Sequence, residues 1–178
     1  MAEELSEHEL ERYAEQIQRI GVDAQRRLKE ARAIVLGASA AGGGAAAHLA
    51  SCGVGYVAVV DGGVVAPADL CAQSILYTPD LGANRAEAVA AKLGVLNPGT
   101  QAESYPVAID EANAHAILIG HDVALDCGAG LPLEPPSAAA GIALVTSQGE
   151  AAADGLRAAA EALALLTAPA QATQAAPA

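Results

Sequence analysis

The sequence predicts an α/β fold: a mainly parallel, twisted sheet with helices on both faces and a helical N-terminal arm. Three observations carry that prediction. Ala33–Leu36 is a short continuous apolar run that stops at Gly37, the pattern of a strand buried on both faces. A small-residue segment from Gly37 to Gly44 then leads into a helical stretch, and Tyr56–Val60 forms a second apolar run that ends at Asp61. Strand-like and helix-like stretches keep alternating to residue 166, the pattern of parallel strands joined by right-handed crossovers.

The elements follow in order. Ser6 with Glu9 three residues later reads as a capping box and opens an amphipathic helix over residues 6–19, ended by Gly21. Residues 22–31 read as a second helix, with Arg26, Arg27 and Lys29 near its C-terminal end, where the helix dipole favours cations. The strand 33–36, a helix through Leu49 and Ala50, a turn at Cys52–Gly55 and the strand 56–60 complete a strand–turn–helix–strand unit. Residues 62–82 read as loop, broken by Gly62, Gly63, Pro67, Pro79 and Gly82. A helix is expected over 83–94, a turn at Asn97–Gly99, a strand over 102–107, a helix over 110–119 and a strand over 122–126. Pro132, Pro135 and Pro136 mark a loop before a strand over 142–146 and a terminal helix over 150–166. The reading is one domain over residues 1–166, divided into an arm (1–31) and a core (32–166). The Ala/Pro-rich residues 167–178 are expected to be a disordered tail.

Composition narrows the function. The chain has 178 residues, 53% of them hydrophobic, yet no Phe and no Trp, so the core must be built from Ala, Val, Leu and Ile. Nine Lys and Arg stand against 21 Asp and Glu, a formal charge of −12. That argues against nucleic acid or an anionic membrane as partner, since both require clustered positive charge. No run approaches the roughly 18 apolar residues needed to span a bilayer, and the acidic first residues do not resemble a signal peptide. Three cysteines without a paired spacing make a disulfide framework or structural zinc site an unsuitable reading and fit a reducing, cytoplasmic setting.

The site-bearing segments are few. Gly37-Ala38-Ser39-Ala40-Ala41-Gly42 keeps the first and third glycines of a dinucleotide turn, with Ser39 at the middle position where phosphate would approach the backbone. Ser39 either donates a hydrogen bond or fills the space, and the whole segment reads equally as a helix-packing turn. Asp61 ends the second strand, 19 residues after Gly42. An acid there accepts hydrogen bonds from ribose hydroxyls, or is an ordinary strand-end turn residue. Arg85 opens a helix and either holds an anion or pairs with Asp80 or Glu87. His8, His48, His115 and His121 lack metal-ligand spacing and read as structural or solvent-exposed. Cys52 and Cys127 read as packing residues, and nothing near Cys71 in the sequence predicts an activated thiol.

Four longer segments carry a resemblance: residues 9–38, residues 49–65, residues 73–98 and residues 121–128. Together they resemble the ThiF/MoeB/HesA adenylyltransferases, bacterial relatives of the ubiquitin-activating enzymes, over about residues 5–130 and more loosely over 139–146. The resemblance implies a Rossmann-like domain that binds ATP and magnesium, adenylates the C-terminal carboxylate of a ubiquitin-like sulfur-carrier protein, and forms homodimers. Position by position, this chain departs from the family pattern. The arginine that the arm motif gives to a neighbouring subunit's phosphates is Glu15. The ribose aspartate is Asp61, but the acid two positions later is Gly63. The asparagine and arginine of the ATP-binding loop motif are Asp69 and Ala72, followed by Gln73. The phosphate-binding lysine is Arg85, and the magnesium-binding aspartate is Ala129. Family members also continue past the fifth strand into carrier-binding segments, which are expected to be largely missing here.

Adenylation depends on cations and electrostatic stabilisation around the phosphates. Each lost charge-assisted hydrogen bond is worth roughly 1.5–3 kcal/mol, so three losses weaken ATP handling by about three to six decades if additive. The expectation is therefore a degenerate member that has lost adenylation chemistry, with no cofactor needed. It acts as a binding subunit that pairs with itself or with a competent relative. Residues Gly37, Ala38, Ser39, Gly42, Asp61, Gln73 and Arg85 line what remains of the nucleotide cleft. Two alternatives stand beside it: an active adenylyltransferase with rearranged cations, Arg85 holding phosphate, and a nucleotide sensor without chemistry.

Overall fold

The computed structural model describes residues 4–72, 74–129, 142–147 and 152–168. Five strands form one parallel sheet: β1 (Arg32–Leu36), β2 (Tyr56–Val60), β3 (Gln101–Tyr105), β4 (Val123–Asp126) and β5 (Ala143–Thr146). Their spatial order is β3-β2-β1-β4-β5, and every pairing is parallel. The chain thus moves outward from β1 in one direction, then returns and moves outward in the other. This creates a switch point between β1 and β4, where ligands bind in open α/β sheets.

Side-chain alternation sends the two faces of each central strand into separate cores. Ala33, Val35, Val57, Val59, Val123 and Leu125 face one core, and Ile34, Leu36, Ala58, Val60 and Ala124 face the other. The first core is covered by α3 (Val22–Glu30), α4 (Ala40–Ser51), α6 (Arg85–Leu96) and the helix α8 (Ala152–Thr167), through Leu28, Leu49, Leu93 and Ala159. The second is covered by the short α7 (Ala114–Leu118), through Ile117 and Leu118. With no Phe or Trp to fill space, helices and sheet approach closely on alanine: Ala41, Ala45, Ala46 and Ala50 of α4 are fully buried.

Several boundaries differ from the sequence reading. The first helix divides into α1 (Glu7–Arg12) and α2 (Ala14–Ile20), with a turn at Tyr13. The capping box is present, Ser6 accepting from the Glu9 N–H while Glu9 accepts from the Ser6 N–H. The break has a packing cause. Tyr13 is turned inward, and its hydroxyl accepts from the Asn97 amide at 2.7 Å. The segment 62–82 is not all loop: it holds α5 (Pro67–Ala72) and a 3₁₀ turn at Thr78–Asp80. The helix expected over 110–119 is confined to α7, because Asp110 and Asn113 cap each other's backbone in a turn ahead of it. Thr167, expected in the disordered tail, ends α8, and its carbonyl accepts from Arg27 at 2.6 Å; the proline loop, Gln73 and residues 169–178 lie outside the described residues.

The arm is fixed to the amino end of the sheet. Gln16 donates to Gln25 Oε1 at 2.7 Å and to the Cys52 carbonyl at 2.9 Å. Gln25, fully buried, donates to the same carbonyl. Arg12 donates to the Leu96 carbonyl at 2.8 Å, and Asn97 donates to the Ala50 carbonyl as well as to Tyr13. Arg12, Tyr13, Gln16 and Asn97, four residues that carry the family resemblance, therefore meet in one structural cluster.

Candidate functional site

The site forms where β1, β2 and β4 end. β1 runs into Gly37, whose φ of +93° reverses the chain; a side chain there would press on the Cys127 carbonyl, 2.9 Å from an added Cβ. Gly42, in the first turns of α4, lies directly on the Gly37 carbonyl, and a Cβ there would overlap that oxygen. The first and third glycines are thus both required by close approach, as the turn reading demands. Ser39 is the N-cap of α4 by backbone position but its side chain makes no capping hydrogen bond. Ala38 is buried, and its N–H points to Asp61.

Asp61 is the hub. Its Oδ2 accepts from Ala38 N–H at 2.8 Å, which staples the glycine-rich turn to the end of β2. Its Oδ1 accepts from Gly63 N–H at 2.7 Å and from Arg85 Nε and Nη2 at 3.3 and 3.2 Å. Four N–H groups thus converge on a carboxylate that offers about four lone-pair sites. The remaining arm of the guanidinium, Nη1, reaches Asp69 Oδ1 at 3.4 Å. Asp69 in turn accepts from Ala66 N–H at the start of α5. Asn84 supports the arrangement, donating to the carbonyls of Asp61 and Gly63 while its Oδ1 caps α6.

Gly63 is what admits the guanidinium, because a Cβ at that position would overlap Arg85 Nη2. The expected partners of Arg85, Asp80 and Glu87, are not its partners: Asp80 pairs with Lys92 at 2.7 Å, which holds its carboxyl below the ordinary range. At the end of β4, Asp126 Oδ1 accepts from the N–H groups of Gly128 and Ala129 at 3.1 and 2.9 Å. It closes its own turn, and Ala129 presents a methyl group. Burial and the neighbouring Asp126 push the Cys127 thiol up to about 12, so it is inert packing.

Asp61 and Arg85 border a cleft of about 390 Å³, lined also by Gly37, Gly63, Val107 and Ala129 among others. Asp61 and Arg85 are the charged residues of that lining and balance each other; Asp69, bonded to Arg85, and Asp126, bonded to Ala129, add negative charge next to it. A larger hollow of about 560 Å³ lies at the other end of the strands, near Ala31, Asp122 and Ala143. Its position at the amino ends is the wrong one for a switch-point site. Of the residues expected to line the cleft, Gly37, Asp61 and Arg85 do so; Ala38, Ser39 and Gly42 shape the turn without lining it, and Gln73 lies outside the described residues. The sequence reading missed that Asp69 is the second partner of Arg85 and that Gly63 makes room for it. The signal was present as three departures from one family pattern, at 63, 69 and 85.

A parallel sheet of this order with a glycine turn, a strand-end acid and a cleft at the switch point defines a Rossmann-type α/β protein. Residues 13–129 match the ThiF family, and the chain belongs to it. It is 35% identical over 126 residues to the SAMP-activating enzyme E1 of Haloferax volcanii, covering 70% of this chain and 47% of that protein. It is 34% identical over 129 residues to the sulfur carrier protein adenylyltransferase of Thermus thermophilus, covering 71% and 48%. The chain thus spans less than half the length of these relatives. Among solved structures, E. coli MccB with AMPCPP and MccA superposes with a TM-score of 0.77 at 14% identity, over 88% of this chain and 63% of that one. E. coli tRNA N6-threonylcarbamoyladenosine dehydratase, TcdA, in complex with ATP gives 0.73 at 21% identity, over 81% and 61%. Among the described residues no helix is long and apolar enough to cross a membrane.

Proposed function

We propose that this chain is a ThiF-family subunit that has lost ATP adenylation chemistry and acts as a non-catalytic binding or partner subunit. One observation carries the reading: Arg85, at the position of the family's phosphate-binding lysine, is held between Asp61 and Asp69 above Gly63. The cation is neutralised by the acid that would take the ribose and by the residue that replaces an ATP-binding asparagine. The donors present do not fit a triphosphate with its magnesium. Asp61 Oδ1 is shared by three N–H groups and Oδ2 by one, Asp126 Oδ1 is spent on its own turn, and the side chain at position 129 offers no ligand atom. Glu15, exposed on α2, carries negative charge where the family motif would give a neighbouring subunit an arginine.

On this reading the parts retained are those that keep the scaffold together, and the partner is a second copy of this chain or a competent ThiF-family relative. A ubiquitin-like sulfur-carrier protein is a further candidate partner, the Thermus relative being named for a sulfur carrier protein. Residues 1–166 act as the unit, in a soluble, cytoplasmic setting. The test is ATP–pyrophosphate exchange by the purified chain, alone and with candidate carrier proteins, beside titration calorimetry with Mg·ATP. No exchange and no binding tighter than about millimolar, roughly −4 kcal/mol, are expected. Exchange by the isolated chain, or a low-micromolar Kd, overturns the reading.

A further inference from the structure

The two anionic partners of Arg85 are not equivalent, and this difference extends the reading above, on which it rests, to how the cleft is regulated. Asp61 has both oxygens committed to backbone N–H groups, Ala38 at 2.8 Å and Gly63 at 2.7 Å, so it cannot leave Arg85 without loosening the turn. Asp69, its side chain 13% exposed, commits one oxygen to Ala66 N–H and leaves the other to Arg85; it sits on α5, a six-residue helix with no buried residue that packs on the body through partly buried Leu70. The guanidinium presents Nε and Nη2 to Asp61 and Nη1 to Asp69. The Arg85 side chain keeps 26% of its surface exposed, at the edge of the cleft.

We propose that Asp69 is a displaceable internal ligand of Arg85. Its carboxylate fills the place of an anionic group on an incoming ligand, such as the phosphate of a nucleoside monophosphate, and thereby sets the anion affinity of the cleft. Without the charge at 69, the Nη1 edge of the planar fork is free for one phosphate oxygen. A longer phosphate chain would still meet the negative field of Asp61 and Asp126. The Asp69→Asn variant removes the charge while keeping an oxygen that can accept from Ala66 N–H, so the start of α5 is preserved.

The experiment is titration calorimetry on the full chain with AMP and, as the uncharged probe, adenosine. Asp69→Asn is expected to bind AMP about tenfold more tightly than the wild type, the effect of one charge-assisted contact, with adenosine unchanged. Adding Arg85→Ala to that variant is expected to erase the gain. Asp69→Ala is the second variant and is expected to show the same gain. AMP affinity equal in wild type and both folded variants overturns the proposal, as does a gain that survives the loss of Arg85. Either result is distinct from failure of the loss-of-chemistry reading, which the wild type decides with Mg·ATP.

Discussion

Position 42 has no room for a side chain, because an added Cβ would overlap the Gly37 carbonyl and come within 3.4 Å of the Cys127 Cβ. Backbone atoms cannot give way as the end of a flexible side chain can. Gly42→Ala is therefore expected to lose about 3 kcal/mol or more, read by urea unfolding. Ser39→Ala, which removes a side chain that caps nothing, serves as the control and is expected to stay within about 0.5 kcal/mol. The two flanking glycines were legible because a fixed spacing after an apolar run implies close approach. The partners of Arg85 were not. Sequence spacing suggests Asp80 and Glu87, whereas the true partners lie 24 and 16 positions earlier and arrive by way of a loop whose path no local pattern encodes.

At the scale of elements, strands were legible to within one or two residues and the short helices less so. β2, and β1 after its exposed Arg32, are uninterrupted apolar runs, and burial on both faces dictates that composition. The arm reads as one helix because its periodicity does not register Tyr13 turning inward to a residue 84 positions away. That contact also makes the arm testable. Asn97→Ala would take its amide donor from the Tyr13 hydroxyl and leave the Ala50 carbonyl to Gly53 N–H and Thr100, and about 2 kcal/mol of stability is expected to be lost. Tyr13→Phe, which removes only one acceptor, is expected to lose about 1 kcal/mol. Chemical denaturation measures both.

For the whole molecule, the titration of His121 links pH to global unfolding. The ring is buried between Leu118, whose carbonyl meets Nδ1 at 2.9 Å, and Tyr56, at a centroid distance of 5.7 Å. Burial holds its pKa below the ordinary 6.5, with Arg32 adding to the shift and Leu118, Asp122 and Glu103 opposing it. The unfolded chain therefore takes up the proton first. The contribution of His121 is complete above about 6.5 and is lost as pH falls through the lower native value. Thermal melts across this range are expected to show a falling Tm, and His121→Phe is expected to flatten that slope.

The cluster around Asn97 and the hub at Asp61 sit at opposite ends of β2, a five-residue strand about 16 Å long. They share no side chain. Substitutions at side chains of the cleft that hold no backbone group therefore leave the arm cluster untouched. A lineage could discard catalysis here and still inherit a well-folded body ready for other uses.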